Sequence, residues 1–382
     1  MDIAHPSTFV KDLVRIRVSD RVRAERMADP VFGTVFTEHM ATARYVEGKG
    51  WHDARIQPFA PMAMSPATAA FHYGQAIFEG LKVYRTPDGS RQLFRPEENA
   101  RRFGASAARL SMPAVPEALF LGALGELVAA DEKWLPSAPD TSLYLRPFQM
   151  ATEEYLGVRP AGEYLFGVIA CPVGSSFPGG TAPLTVWVSD AYTRAAPGGT
   201  GAAKCAGNYA ASMAAHTQAR EAGCDQVVFL DAVERRYVEE LGGMNLFFVF
   251  DDGTLLTPPL GGTILPGVTR DSVITLARDA GHHVVERPYT LAEWRADAVS
   301  GRLREVFACG TAAVVTPVGT VRSPEGEFTV SGGEAGAVTE KLRDALTGIQ
   351  YGRTADPYGW TRRTRQPAAA TDVPPVSSTP RQ

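Results

Sequence analysis

The sequence predicts a mixed fold, α/β or α+β, in two domains. Three observations lead there. The chain has 382 residues, a length that suggests two domains or one large one. Strand-like apolar runs alternate along it with helix-like periodicity, the pattern of sheets covered by helices. A Gly- and Pro-dense break, Cys171-Pro-Val-Gly-Ser-Ser-Phe-Pro-Gly-Gly-Thr181, parts the strand-like runs Glu163–Ala170 and Leu184–Ser189. These place a smaller N-terminal domain over 1–173, a connection over 174–183, a larger domain over 184–361 and a disordered tail over 362–382. Val373 and Val376 are the only large apolar residues of that tail.

The elements follow in order. Pro96 to Leu110 predicts a helix, with Pro near its start and Phe103, Ala107 and Leu110 on one apolar stripe. Arg102, Ser106 and Arg109 fall on the neighbouring stripe. Ser142 to Pro147 predicts a strand, so Tyr144 and Arg146, two apart, share a side. Beyond Leu184–Ser189 a Gly-rich stretch runs to Lys204, and Asn208 to Ala222 predicts a helix stopped by Gly223. Gln226–Leu230 is a strand. Asn245–Phe250, Asp251–Thr254 and Leu255–Thr257 read as strand, tight turn, strand. Leu265 to Arg270 leads into a helix that ends near Gly281. Val306–Ala308 runs as a strand into Cys309-Gly-Thr-Ala-Ala313 and out through Val314.

With 38 basic and 42 acidic residues the net charge is −4, which gives no electrostatic reason for a nucleic-acid or anionic-membrane partner. Cys171, Cys205, Cys224 and Cys309 form no C-x-x-C pair, a usage that suits a reducing cytoplasm. No apolar run approaches the ~18 residues of a membrane span. The N-terminal region is Arg-rich (Arg15, Arg17, Arg21, Arg23, Arg26), but Asp12, Asp20 and Glu25 interleave, unlike a transit peptide. Among the 7 histidines only His282 and His283 are adjacent, and neighbours on a strand point apart, so no metal is expected.

Four features carry chemistry, each with a plainer alternative. Gly198-Gly-Thr-Gly-Ala-Ala-Lys204 is neither a Walker loop, since Ala203 precedes the lysine, nor a dinucleotide fingerprint. Lys204 has no acidic residue close in sequence, so it is either a desolvated, reactive amine or an ordinary surface lysine. Tyr237 to Asn245 places Glu240 before Gly242-Gly243 and a long apolar strand. Either the backbone bends there around a ligand, or a simple turn leaves Glu240 in solvent. At Leu265–Arg270 a helix start with Gly267, Val268 and Thr269 is an anion site or a plain cap made by Thr269. Gly310-Thr-Ala-Ala313 is an anion cradle or an ordinary bulge. An amine, a carboxylate, two small-residue cradles and Arg102 together meet the needs of pyridoxal 5'-phosphate.

On these residues the chain resembles the branched-chain amino-acid aminotransferases of fold type IV, a two-domain architecture shared with the D-amino-acid aminotransferases. The matching segments are Phe32–Met40, Arg55–Phe59, Phe78-Glu-Gly-Leu-Lys82, Leu93–Pro96, Tyr144-Leu-Arg-Pro147, Lys204–Tyr209, Glu240–Asn245, Leu265–Arg270 and Gly310-Thr-Ala312. The resemblance implies that Lys204 binds the cofactor's aldehyde and later moves a proton between Cα and C4′. It implies that Glu240 faces the pyridine nitrogen and that Tyr209 bonds the phenolic oxygen. Arg102, Val268, Thr269 and Thr311 would hold the phosphate. Phe32, Phe78, Tyr144 and Tyr209 would wall the side-chain pocket, and Arg146 would take the distal carboxylate of glutamate. Thr311 and Ala312 would hold the α-carboxylate. Tyr73, with Leu156 and Val158, would reach the site from a second subunit, so a homodimer or higher homo-oligomer is expected.

The expected reaction moves an amino group between L-leucine, L-isoleucine or L-valine and 2-oxoglutarate, by a ping-pong cycle. Three positions depart from the family pattern. Gly243 stands where many relatives carry Thr or Ser, which enlarges the pocket. Ser176 stands where some have Tyr. Ala313 and Thr316 replace a C-x-x-C found in some animal members, so no thiol switch of that kind is expected. The nearest rivals are a D-amino-acid transaminase and an aminodeoxychorismate lyase. A non-catalytic protein on this fold and a nicotinamide oxidoreductase are the others.

Overall fold

The computed structural model describes residues 9–174 and 182–364. Two mixed sheets organise them. The first runs in the order Val10–Lys11, Gly50–Pro58, His39–Val46, Glu163–Val173, Ser142–Ala151, Leu81–Arg85, Arg91–Phe94 and Thr361–Arg363, with Ala76–Phe78 paired to Ser142–Ala151. Apart from the Val10–Lys11 edge it is antiparallel. The second runs Val238–Leu241, Gln226–Leu230, Leu184–Ser189, Val314–Ser323, Leu303–Gly310, Met244–Phe250, Thr254–Thr257 and His283–Glu286, with Gly326–Thr329 on Val314–Ser323. Leu184–Ser189 is parallel to both neighbours. Hairpins and crossovers therefore coexist, and of the two fold classes the sequence allowed, α+β describes the first sheet.

Helices cover these sheets through stripes of the expected spacing. The helix Pro96–Arg109 begins on Pro, whose fixed φ suits the first helical position. It buries Ala100, Phe103 and Ala107. Phe103 packs edgewise on Phe166 of the sheet and beside Phe120 of the helix Glu117–Ala130. A second core lies under the helix Leu291–Ser300, where Trp294 meets Phe248 and Phe328. A third joins the two sheets: Tyr84 and Phe94 from the first pack with Phe247 and Phe307 from the second and with Leu342 and Ile349 of the helix Ala337–Gln350. Each such buried aromatic contributes roughly 1.5–3 kcal/mol, enough to fix how the halves meet.

Several boundaries differ from the sequence reading. The helix expected from Asn208 runs Ala206–Glu221, and the strand expected over Val306–Ala308 runs Leu303–Gly310. Arg362 and Arg363, expected in the tail, form a strand with Thr361 on the edge of the first sheet, because Arg91–Phe94 offers an open edge. Val373, Val376 and Ser176 lie outside the described residues. The strands His39–Val46 and Gly50–Pro58 carry too many polar residues to stand out by periodicity.

Candidate active site

The two halves meet at Lys204. Its loop is anchored to the first half by the polar stripe of the helix Pro96–Arg109. Ser106 Oγ accepts from the Lys204 backbone N–H at 2.9 Å, and Arg109 donates to the carbonyls of Gly198 and Gly199. The Phe78 N–H donates to the Lys204 carbonyl at 3.0 Å. So pinned, the half-buried Lys204 side chain reaches Tyr209 Oη, with Nζ 3.0 Å away, and lies 5.0 Å from the Phe78 ring centroid. Half-burial and the Tyr209 hydroxyl favour the reactive-amine reading of Lys204 over that of an ordinary surface lysine. Tyr209 is one helical turn into Ala206–Glu221 and packs on Phe78 at 4.7 Å between centroids.

Glu240 is 2% exposed, which corrects the alternative that left it in solvent. It lies in Val238–Leu241 opposite Asn245, across the Gly242-Gly243 hairpin. Oε1 accepts from the Leu265 N–H at 3.0 Å and pairs with Arg194 at 2.8 Å; Oε2 accepts from Asn245 Nδ2 at 3.1 Å. Burial pushes its carboxyl up to about 7, against the pull of the Arg194 guanidinium.

Arg102 is held by Glu79, which is 0% exposed. Arg102 Nε and Nη2 donate to the two Glu79 oxygens at 2.7 and 2.9 Å, and Nη1 donates to the Pro266 carbonyl. Asn99 and the Gly80 N–H also donate to Glu79. Burial raises the Glu79 carboxyl, but the Arg102 charge and these bonds outweigh it, and the net shift is downward. Arg102 thus stands over a cleft of about 500 Å³ that it shares with Gly267 and Val268. The helix Val268–Asp279 starts there with Gly267 as its N-cap. Thr269 is inside the helix and buried, so it does not cap it. The first amides of that helix have no intrahelical acceptor, as at any helix start, and such amides are anion donors. A Cβ on Gly267 would sit 2.1 Å from Asn245 Oδ1, so glycine is required for the close approach.

The Gly310–Val314 break is a tight hairpin between paired strands and not a bulge, with Gly310 opposite Val314 and Val314 at φ 60°. Thr311 and Ala312 form its tip. Lys82 Nζ crosses from the first half to donate to the Ala312 carbonyl at 3.0 Å, and burial lowers its amine to about 8.

Tyr144 and Arg146 share a side as expected: Arg146 Nη2 donates to Tyr144 Oη at 3.1 Å, and its guanidinium lies 4.8 Å from the Phe78 centroid. Its buried Nε has no hydrogen-bond partner among the described residues, so a donor is left for an anion. Phe32 packs edge-on to Tyr144 at 5.0 Å. Gly80 lies so close to Tyr144 that a Cβ would fall 1.8 Å from its hydroxyl, whereas a Cβ on Gly243 would meet only Tyr209, at 3.9 Å. Tyr73 is exposed and donates to the Leu156 carbonyl at 2.6 Å, and Leu156 and Val158 are exposed as well.

Sequence reasoning missed Glu79, Arg194 and Lys82. Glu79 and Lys82 fall inside the Phe78–Lys82 segment, but nothing local names their partners. As a set, an enclosed amine with a hydroxyl beside it, a buried carboxylate and an arginine over a helix start suit a flat heteroaromatic phosphate with a carbonyl group.

A family model described as amino-transferase class IV matches residues 76–321. Over 344 residues the chain is 56% identical to a probable branched-chain-amino-acid aminotransferase of Streptomyces coelicolor, covering 90% of this chain and 95% of that one. It is 55% identical over 349 residues to a branched-chain-amino-acid aminotransferase of Mycolicibacterium smegmatis, with 90% and 95% covered. The fold matches the branched-chain aminotransferase of Escherichia coli with a TM-score of 0.66 at 31% identity, covering 85% of this chain and 100% of that one. It matches the branched-chain aminotransferase of Thermobaculum terrenum in its PLP form with a TM-score of 0.71 at 25% identity, covering 87% and 99%. With its site and these likenesses, the chain belongs to the branched-chain-amino-acid aminotransferases of the class IV aminotransferase family.

Proposed function

We propose that this protein moves the amino group between L-leucine, L-isoleucine or L-valine and 2-oxoglutarate, yielding branched-chain 2-oxo acids and L-glutamate, with pyridoxal 5'-phosphate as cofactor. The observation that supports this most is the enclosed Lys204 amine, 3.0 Å from Tyr209 Oη, whose charge is felt by both buried carboxylates. When bound, the cofactor supplies an aldehyde to receive amino groups and a ring to absorb electrons from Cα. Lys204 would bind that aldehyde and, when free, would take and return the Cα proton, while Tyr209 would orient its Nζ and bond the phenolic oxygen. Glu240 would accept the ring N–H. Arg102, Val268, Thr269 and Thr311 would hold the phosphate.

Phe32, Phe78, Tyr144 and Tyr209 give an apolar wall that excludes water. Arg146, whose guanidinium lies against Phe78 and Tyr144 and whose Nε is unpartnered among the described residues, takes the distal carboxylate of glutamate, so one pocket serves both half-reactions. The Thr311-Ala312 tip takes the α-carboxylate, and Gly243 leaves room beside Tyr209. Tyr73, Leu156 and Val158 are read as belonging to the site of a second copy, in a homodimer or larger homo-oligomer. The two sheets support reading two domains that part near 174–183. A cytoplasmic setting fits the four unpaired cysteines, all buried, and no helix among the described residues is long and apolar enough to cross a membrane.

The test is the absorption spectrum of the purified protein before and after L-leucine, with glutamate formation measured from 2-oxoglutarate. The proposal expects visible absorbance that L-leucine discharges and glutamate formed in proportion. Turnover of D-alanine without L-leucine would replace it with a D-amino-acid activity, and a colourless, inactive protein would overturn it.

A further inference from the structure

Arg194 lies in the loop after Leu184–Ser189, ten residues before Lys204, and is 5% exposed. A buried guanidinium needs its charge and its donors met. One nitrogen, Nη1, meets three groups: Glu240 Oε1 at 2.8 Å, the Gly201 carbonyl at 3.1 Å and the Thr263 carbonyl at 2.6 Å. Gly201 belongs to the loop that carries Lys204. Thr263 belongs to the segment whose Leu265 N–H donates to the same Glu240 oxygen. A Cβ on Gly201 would sit 2.3 Å from the Thr263 carbonyl oxygen, so the two segments touch and Arg194 closes over the junction.

The contacts of Arg194 are to Glu240, Gly201 and Thr263 and not to Lys204, so its effect passes through Glu240 and the Lys204 loop. A carboxylate has about four acceptor sites. Leu265 takes one on Oε1 and Asn245 one on Oε2, while the Arg194 guanidinium lies against Oε1 as an ion pair. Oε2 keeps a site without a hydrogen-bond partner among the described residues, and its direction is fixed only while these two bonds and the ion pair hold the carboxylate still.

We propose that Arg194 is a positioning residue which aims the free Oε2 site of Glu240 and locks the Lys204 loop to it, setting the spacing between carboxylate and amine. This rests on the cofactor reading above. Charge supports the geometry. The charged and titratable groups around Glu240 are Arg194, Glu239 beside it, Lys204, and Cys309, which lies opposite Asn245 on the next strand but one. Burial and Glu239 favour the protonated carboxyl; Arg194 is the strongest influence against it. A protonated Glu240 would present a donor where the ring N–H also donates, so losing Arg194 costs the acceptor as well as its aim.

The test compares the full-length chain with Arg194→Met, Arg194→Lys and the double variant Arg194→Met/Glu240→Gln. The infrared spectrum at about pH 8 reports the carboxyl state directly. Arg194→Met should gain a protonated-carboxyl band that the double variant lacks, while Arg194→Lys, keeping the charge, should not. Titration with pyridoxal 5'-phosphate should show affinity about 10- to 100-fold weaker in Arg194→Met, the scale on which outer partners of a ligand act, and less so in Arg194→Lys. No new band together with affinity unchanged from wild type would overturn the role. If Arg194→Met fails to fold, Arg194→Lys decides: affinity equal to wild type overturns it, a measurable loss upholds it. A wild-type chain that takes up no pyridoxal 5'-phosphate would sink the cofactor reading instead, and the infrared band would then decide Arg194 alone.

Discussion

Glu79, from the first half of the chain, and Glu240, from the second, are both buried carboxylates that meet an arginine, yet their acidities move in opposite directions. Glu79 receives a two-pronged contact from Arg102, with further donors from Asn99 and Gly80. Glu240 receives one nitrogen of Arg194, shared with two carbonyls, and has Glu239 beside it. The parallel fork delivers two charge-assisted bonds and repays desolvation; a single shared nitrogen does not. The first half therefore keeps a fixed ion pair that presents Arg102, and the second keeps a carboxylate poised near neutrality.

Five substitutions, one of them followed through a pH series, break or sharpen this contrast. The largest effect is expected at Lys204, whose charge both carboxylates feel. Lys204→Ala should lower kcat by about 10³-fold or more, since both a nucleophile and a proton carrier are lost; glutamate formation at the wild-type rate would refute this. Next comes Glu79→Gln, which leaves Arg102 buried without its counter-charge and should cost about 3–5 kcal/mol in denaturant unfolding. Glu240→Gln, by contrast, should cost little in the cofactor-free chain and should change its pH dependence.

That dependence has a definite sign. Glu240 titrates near 7 in the folded chain, against an ordinary glutamate value of 4.5. Between these values the folded chain binds more protons, so the stability contributed at this position falls as pH rises through the window. Glu79, with its pKa depressed, contributes stability above the ordinary carboxylate range that is lost as pH falls through its folded value. From about pH 5 to about pH 8 the cofactor-free Glu240→Gln variant should gain about 1–3 kcal/mol relative to wild type. An equal response in both proteins would remove the basis for the contrast.

Two glycines test the pocket. Gly80→Ala drives a Cβ against the Tyr144 hydroxyl, and overpacking of this kind costs about 1–3 kcal/mol; KM for L-leucine should rise as the wall shifts. Gly243→Ser enters open space beside Tyr209 and should change kcat/KM by less than about threefold, under 1 kcal/mol. A larger effect at Gly243 than at Gly80 would reverse the packing argument.

The local pieces were legible where the signal lies within a turn or a strand. The helix Pro96–Arg109 was readable from its Pro and its apolar spacing, and its polar stripe of Arg102, Ser106 and Arg109 contacts the site at all three positions. Gln226–Leu230 and Leu184–Ser189 were readable as short apolar runs between turn residues. The partners were not legible. Arg102 meets Glu79 across 23 positions, and Lys82 meets Ala312 across 230. Arg194 had no feature to separate it from other arginines.

By itself, the sequence settled which groups are available: an amine without an acidic neighbour, a glutamate before a glycine pair, and two small-residue segments, one at a helix start and one between strands. Only the tertiary structure decided the state those groups are held in. Whether burial or an opposing charge wins depends on atoms within a few ångströms in space, and those atoms come from distant parts of the chain.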